Sequence, residues 1–361
     1  MQSIQISASR TYDVRIGSGL LEKTGEWAAE LIKGRNCVII SDSVVWPFYG
    51  KRTAESLERA GFQTSQFVFP AGEASKNPQV LLEAVSFLAQ REITREDLVV
   101  ALGGGVTGDM GGLAAALFLR GTPCIQIPTS LLAMVDSSVG GKTAVDLPEG
   151  KNLLGTFTQP YLVICDTDLL RTLAPEVFCE GMAEVIKYGM IASPELLRIL
   201  DGAPELSGTA EGEEQKLLED IIARGVEIKR AVVDEDERDL GGRQILNFGH
   251  TLGHAIERCM GFSIYHGQGV AIGMSILTRA AVREKLCPAE CAEVLGRLLE
   301  KYHLPETTDL PAEKLIEAAH ADKKRRGSGI TLVLPERFGR CALKKTDYAY
   351  LRALLDLGRD A

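Results

Sequence analysis

The feature that most constrains this chain is a change of pattern near residue 172. From Met1 to about Thr172, short β-branched and apolar runs alternate with helical patterns, as in Cys37-Val-Ile-Ile40, Ser65-Gln-Phe-Val-Phe69, Leu98-Val-Val-Ala-Leu102, Pro123-Cys-Ile-Gln-Ile127 and Leu162-Val-Ile-Cys165. Most of these runs end in Gly, Pro, Asp or Ser turns. Strands separated by helices predict a mainly parallel sheet covered by helices. Beyond Leu173 the β-rich runs almost vanish, and a 3.6-residue period, as in Glu290 to Leu299 and Ala312 to Ala319, dominates until Ile330-Thr-Leu-Val-Leu334. The second half therefore reads as a helical domain. The polar stretch from Asp201 to Gln215 reads as a surface loop within it, because helical patterns of the same kind lie on both sides.

Composition excludes several classes. With 361 residues, 45% hydrophobic and 25% charged, the chain has ample material for a core and no signature of disorder, collagen or coiled coil. Its longest apolar run is about ten residues, Met110 to Leu119, whereas a spanning helix needs about 20. No membrane association is expected. The first residues carry neither a basic nor an apolar leader region, so the cytoplasm is the expected location. Eight cysteines lie scattered without a CxxC pair and read as reduced thiols. Forty basic residues stand against 49 acidic ones, a net charge of −9, which argues against general nucleic-acid binding. The short run Asp322-Lys-Lys-Arg-Arg326 does not change that reading. Any anionic ligand must be held by a local cluster of cations.

Glycine-rich turns suggest where. The run Gly103-Gly-Gly-Val-Thr-Gly108-Asp109 follows the strand Leu98 to Leu102, fits G-x-G-x-x-G and opens into a helical pattern. Glycine lets the backbone turn tightly and approach a pyrophosphate, whose charge a helix N-terminus favours. Such a turn also serves packing alone. Asp42, after the strand Cys37 to Ile40, offers a carboxylate for a ribose, but it precedes the glycines, so the order is not that of an ordinary Rossmann dehydrogenase. A second cluster is Val135-Asp-Ser-Ser-Val-Gly-Gly-Lys-Thr143, followed by Gly150-Lys-Asn152. Its Gly-Lys-Thr lacks the leading glycine of a Walker A loop, so its lysines read as cations for a phosphorylated ligand or as solvated turn residues.

Three of the five histidines fall close together: His250, His254 and His266. His250 and His254 are four residues apart and share a helix face, as in H-E-x-x-H, but Thr251 stands where the catalytic Glu of a metalloprotease would be. A divalent metal site without that hydrolytic chemistry is the reading. Glu184 is a candidate further ligand, since a glutamate amid small and apolar residues is costly to bury unpaired; an ion pair with Lys187, one turn on, is the alternative.

The runs Asp136-Ser-Ser-Val-Gly-Gly-Lys142, Gly150-Lys-Asn152, Ala183-Glu-Val-Ile-Lys-Tyr-Gly189, Leu246-Asn-Phe-Gly-His-Thr-Leu-Gly-His-Ala-Ile-Glu257 and Asp322-Lys-Lys324 together closely resemble the 3-dehydroquinate synthase family, in order and over about residues 35 to 335. The resemblance implies an α/β, Rossmann-like N-terminal domain with a mainly parallel sheet, residues 1–172, and a mostly α-helical C-terminal metal-binding domain, residues 173–361. It implies an active site in the cleft between them and a homodimer. The metal, Zn2+ or Co2+, would be held by Glu184, His250 and His266, which makes His254 a substrate contact instead of a ligand. NAD would lie on Asp42, Glu73, Lys76, Gly104, Gly105, Val106, Asp109, Thr129, Ser130, Lys142, Lys151 and Thr172. The sugar phosphate would meet Arg120, Asp136, Lys142, Asn152, Lys187, Lys229, Asp239, Arg243, Asn247, His254, Lys323 and Lys324. The implied activity converts 3-deoxy-arabino-heptulosonate 7-phosphate to 3-dehydroquinate and phosphate, with NAD recycled in each turnover. A related sugar phosphate cyclase and an NAD- and metal-dependent polyol dehydrogenase are the alternatives.

Some positions depart from the family pattern. Gln268-Gly269 stands where Glu-Ala is common, Asp239 where Glu is usual, Ser130 where a second Thr is, and Ala144-Val-Asp146 where Gly-Ile-Asn is. None is a proposed metal ligand.

Overall fold

The computed structural model describes residues 1–323 and 329–359. The chain forms two compact units, one of residues 1–174 with 208–238, the other of residues 175–207 with 239–361. The strands of the first unit are β1 (Gln2–Ser7), β2 (Thr11–Gly17), β3 (Asn36–Asp42), β4 (Gln63–Phe69), β5 (Leu98–Gly103), β6 (Cys124–Pro128), β7 (Lys142–Leu147), β8 (Gly150–Phe157) and β9 (Leu162–Asp166). Seven of them make one sheet in the order β1-β2-β9-β6-β5-β3-β4, while β7 and β8 form a separate antiparallel hairpin. Within the large sheet only β1 and β2 pair antiparallel. Every residue of β5, β6 and β9 is buried, as expected for parallel strands covered on both faces.

The helices α1 (Thr24–Leu31), α2 (Lys51–Arg59), α3 (Pro78–Gln90) and α4 (Gly105–Leu117) lie between these strands in sequence. Local chemistry starts α3: Pro78 presets the first turn, and the Asn77 side chain accepts the Val80 N–H at 3.0 Å. The chain runs from β3 outward to β4, crosses back to β5 and continues to β6 and β9. Counted from β3, these five strands lie in the order 2-1-3-4-5, the second of the two common doubly wound arrangements. The direction of winding reverses between β3 and β5. Ligands of open α/β sheets bind at the carboxyl ends of the strands flanking that reversal, here Asp42 and Gly103.

After the sheet come α5 (Pro175–Ala192) and α6 (Pro194–Gly202) of the second unit, and then α7 (Gly212–Glu235), which returns to the first. The stretch 201–215 is therefore more than a loop inside a contiguous helical domain, because the chain changes unit within it. α7 packs on β1 and β2, and its last turn binds the first hairpin: the Ser7 N–H donates to Asp234 Oδ1 at 3.0 Å. Its buried stripe of Leu218, Ile221, Ile222, Val226 and Val233 has the helical period that any partner would demand, so the pattern does not reveal that the partner is a sheet.

The rest of the second unit consists of α8 (His250–Cys259), α9 (His266–Arg283), α10 (Glu290–Lys301), α11 (Ala312–Lys323), the hairpin β10 (Ile330–Arg337) and β11 (Arg340–Thr346), and α12 (Tyr348–Arg359). α9 is its axis, almost wholly buried and in contact with α5, α8, α10, α12 and β10. Lys324 lies outside the described residues, as does the Lys323 side chain.

Asp97 sets the start of β5. It is 3% exposed and accepts the N–H groups of Asn36 at 2.9 Å and Thr94 at 2.8 Å. Burial would raise its pKa, yet these hydrogen bonds outweigh burial and hold it below the usual value. A lowered folded pKa contributes stability that is complete above the unfolded value and lost as pH falls through the folded one. Asp97→Asn should cost about 1–3 kcal/mol at neutral pH. In thermal melts, the gap in Tm between the two proteins should close as pH is lowered below about 4.

Candidate active site

In the first unit the glycines divide into two groups. A Cβ on Gly103 would lie 2.5 Å from Thr107 Oγ1, and one on Gly111 2.7 Å from the Ala101 Cβ, so packing requires glycine at both. Gly104 differs: its backbone is extended, and a Cβ there would meet nothing nearer than Ser130 Oγ at 3.5 Å. Neither strain nor packing explains glycine at 104, and the first turn of α4 is left open to close approach by an anionic group such as a diphosphate. Gly105 opens that turn, with Val106 partly buried behind it. Thr129 and Ser130 follow β6 beside it, the Thr129 N–H donating to the Gly103 carbonyl at 3.0 Å. Across the reversal point, Asp42 Oδ2 accepts from Thr107 Oγ1 at 3.0 Å while Oδ1 caps the Val44 and Val45 N–H groups. Asp42 thus first ties β3 to α4. Thr172 Oγ1 is 2.7 Å from the Tyr49 hydroxyl.

Beside this cradle stands a row of paired cations. Lys76 Nζ, almost buried, is 2.6 Å from Asp109 Oδ2 and donates to Asn152 Oδ1 at 2.6 Å. Burial alone would lower its pKa, but Asp109 and Glu73 outweigh burial and raise it, so the ammonium persists. Lys151 lies 3.4 Å from Glu73, and Lys229 of α7 donates to both the carboxylate and the carbonyl of Asp136 at 2.5 Å. Lys142 is exposed at the start of β7. Asn152 has a left-handed φ of 55° and is held by Asp146, whose Oδ1 accepts its N–H at 2.7 Å. Sequence reasoning had noted Asp146 only as a departure; its spacing of six from Asn152 across a hairpin turn was the available signal. Arg120 is exposed beyond the C-terminal end of α4, roughly 20 Å of helix from Gly105.

The second unit holds the metal-type cluster. Glu184 sits mid-way along α5 with no exposure, and its Oε2 accepts from Lys187 one turn on. Among the described residues its Oε1 has no hydrogen-bond partner. That oxygen lies 3.6 Å from His250 Nε2 and 3.7 Å from His266 Nε2, too far for hydrogen bonds but within the span of one shared ion. The sequence leaves a choice between ion pair and ligand; one carboxylate oxygen makes the ion pair, and the other is positioned where it could ligate. Burial, with Lys187 adding to it, keeps the His250 pKa well below the usual value, so its ring is neutral and ready to ligate. His266 is raised: burial opposes protonation, but Glu257, Glu184 and Glu180 outweigh it, and a metal would displace the proton. Two imidazoles and one carboxylate, with positions left for substrate oxygens, suit Zn2+ or Co2+.

Backbone devices aim these side chains. Gly249 takes φ +80° at the entry to α8 and abuts the Val270 carbonyl, where a Cβ would lie 2.6 Å away. His250, His254 and Glu257 then share one face of α8. Glu180, one turn before Glu184, accepts the N–H groups of His266 and Gly267, so α5 also pins the start of α9; burial raises its pKa. Gln268 caps the same helix end, its Oε1 accepting the Tyr265 N–H at 3.3 Å. His254, Glu257 and His266 form a second converging group, but His266 Nδ1 and Glu257 Oε1 are already bonded at 2.7 Å. Ahead of α8, Asp239 holds φ +58°, Arg243 is buried and Asn247 is exposed. Glu180 escaped the sequence reading, although its position four before Glu184 marked the shared face.

A phosphate-type cradle at the winding reversal of an α/β sheet, with a two-histidine, one-glutamate centre on helices, defines a nucleotide- and metal-dependent enzyme class. Family models described as 3-dehydroquinate synthase N-terminal and 3-dehydroquinate synthase C-terminal match residues 66–180 and 181–325. The 3-dehydroquinate synthase of Enterococcus faecalis is 42% identical over 353 residues, covering 96% of each chain. A solved 2-deoxy-scyllo-inosose synthase, complexed with carbaglucose-6-phosphate, NAD+ and Co2+, superposes with a TM-score of 0.88 at 26% identity, covering 98% of this chain and 99% of that one. The 2-epi-5-epi-valiolone synthase of Streptomyces hygroscopicus, with NAD+ and Zn2+ bound, gives 0.86 at 26% identity and 98% coverage of both. The chain belongs to the 3-dehydroquinate synthase family.

Gly104→Ala should leave Tm unchanged while weakening NAD binding by roughly tenfold, or 1.4 kcal/mol, in a fluorescence titration. Gly111→Ala, which overpacks against Ala101, should instead lower stability by about 1–3 kcal/mol. His250→Ala should abolish retention of divalent metal after dialysis, read by elemental analysis, with little change in the melting of the metal-free protein. Glu184→Gln should lose both metal and stability, by about 3–5 kcal/mol, because it strands the buried Lys187 ammonium.

Proposed function

We propose that this chain catalyses the 3-dehydroquinate synthase reaction, converting 3-deoxy-arabino-heptulosonate 7-phosphate to 3-dehydroquinate and phosphate in the biosynthesis of aromatic amino acids. The observation that carries this reading is the 42% identity to a 3-dehydroquinate synthase over 96% of both chains, against 26% to cyclases of other products. The reaction oxidises one hydroxyl, eliminates phosphate, returns the hydride, opens the ring and closes the carbocycle by an aldol step. When bound, NAD takes up and returns one hydride, and the divalent metal polarises substrate oxygens and lowers their pKa.

In this reading Glu184, His250 and His266 hold the metal, and Gly104, Gly105, Val106, Asp109, Thr129 and Ser130 cradle NAD with Asp42, Glu73, Lys76, Lys142, Lys151 and Thr172. Lys187, bonded to Glu184, is placed to stabilise a substrate oxyanion. Lys229, Arg243, Asn152 and Asn247 orient the carboxylate, hydroxyl and phosphate groups, and His254 contacts the substrate from the metal-binding face of α8. The substrate's phosphate serves as base in the elimination, so that step calls for no protein base. Binding one substrate in reactive geometry supplies much of the rate.

Among the described residues no helix is long and apolar enough to cross a membrane. The eight free thiols favour the reducing cytoplasm. A homodimer is supported by β8, which among the described residues pairs only with β7 and carries exposed Leu153, Leu154 and Phe157. The test is to incubate metal-loaded protein with heptulosonate 7-phosphate and a trace of NAD, following phosphate and 3-dehydroquinate by mass spectrometry. Product in large excess over NAD is expected. NADH accumulating with each turnover, or no carbocycle, would sink the reading.

A further inference from the structure

We propose that Glu257 is a positioning residue that fixes the tautomer of His266 and strengthens it as a metal donor. The inference deepens the metal reading above and rests on it. His266 Nδ1 lies 2.7 Å from Glu257 Oε1, and that carboxylate is 1% exposed. When ionised, that carboxylate only accepts, so Nδ1 is the donor in this contact and Nε2, the atom facing Glu184, is the nitrogen left for a metal. His250 is held differently: its Nδ1 faces the Phe248 carbonyl at 3.1 Å, a neutral acceptor. The two histidines are therefore unequal. A carboxylate draws the Nδ1 proton further and makes the opposite nitrogen more basic.

The packing enforces this contact. Where α8 and α9 cross, a Cβ on Gly269 would lie 3.0 Å from the Gly253 carbonyl and 3.4 Å from Glu257 Cγ. The glycine that departs from the common alanine lets the two helices meet at the Gly253 carbonyl, with Glu257 alongside. From the other side, Glu180 holds the His266 and Gly267 N–H groups, so the ring is fixed at both backbone and Nδ1. A fully buried carboxylate is expensive unless strongly bonded, and an apolar side chain would fill the same space at less cost.

The test titrates the metal-free full chain with Co2+ alone, without substrate, reading affinity and the visible absorption of the bound ion. Glu257→Gln preserves shape and removes charge; it should weaken Co2+ binding about 10- to 100-fold and shift the Co2+ bands. Glu257→Ala should weaken binding at least as much. The same affinity and the same spectrum in the Gln variant would show that Glu257 only packs, and would overturn the inference. No Co2+ uptake by the unsubstituted chain would overturn the metal reading, and this inference with it. Imidazole nitrogen NMR on the unsubstituted Zn2+-loaded protein needs no variant to fold: a proton on His266 Nδ1 is expected, and a metal-bound or bare Nδ1 refutes the proposal.

Discussion

A carboxylate with no exposure, set among Met182, Ala183, Val185 and Ile186, has to be paired, and the helical unit is arranged around how Glu184 meets that demand. One oxygen is satisfied within α5 by Lys187, independent of any other element. The other requires two further helices to deliver imidazole nitrogens to it. Gly249, the Gly253–Gly269 crossing, Glu180 and Gln268 each fix where α8 and α9 begin or touch, so they share one purpose.

The sheet unit solves a different problem, that of holding anions on a chain of net charge −9. Its lysines are not bare. Lys76, Lys151 and Lys229 are each ordered by a carboxylate, Asp109, Glu73 and Asp136. The counter-charges keep the ammonium groups in place before any ligand arrives, at the cost of some attraction for it. Neutral donors complete the set: the first turn of α4 offers backbone N–H groups at the end of β5, and Gly104 leaves them uncovered.

The departures from the family pattern find physical roles in the helices and hairpin that carry them. Gln268 forfeits a charge but caps α9 through its side-chain oxygen. Gly269 lets two helices approach at the Gly253 carbonyl, and Asp146 anchors Asn152 in its left-handed conformation. Ser130 keeps a hydroxyl that accepts the Ala133 N–H at 3.3 Å, as a threonine would.

Much of this was legible in the linear chain, because strands, helices and glycine turns obey short-range rules: apolar period, branching at Cβ and left-handed tolerance. The β runs, the helical second half, the G-x-G-x-x-G turn and the grouping of His250, His254 and His266 follow from spacings of a few residues. What lay beyond reach involves choices among partners. A helix stripe records that α7 packs, not that it returns to the sheet across 208–238, and a buried Glu184 records that it pairs, not that its two oxygens divide between a lysine and two imidazoles. Arg120 stands exposed beyond the end of α4, and its direction along that helix is likewise a three-dimensional fact. Local propensity depends on neighbours within a turn; which oxygen meets which nitrogen is settled by the packing of elements far apart in sequence, and only the tertiary structure decides it.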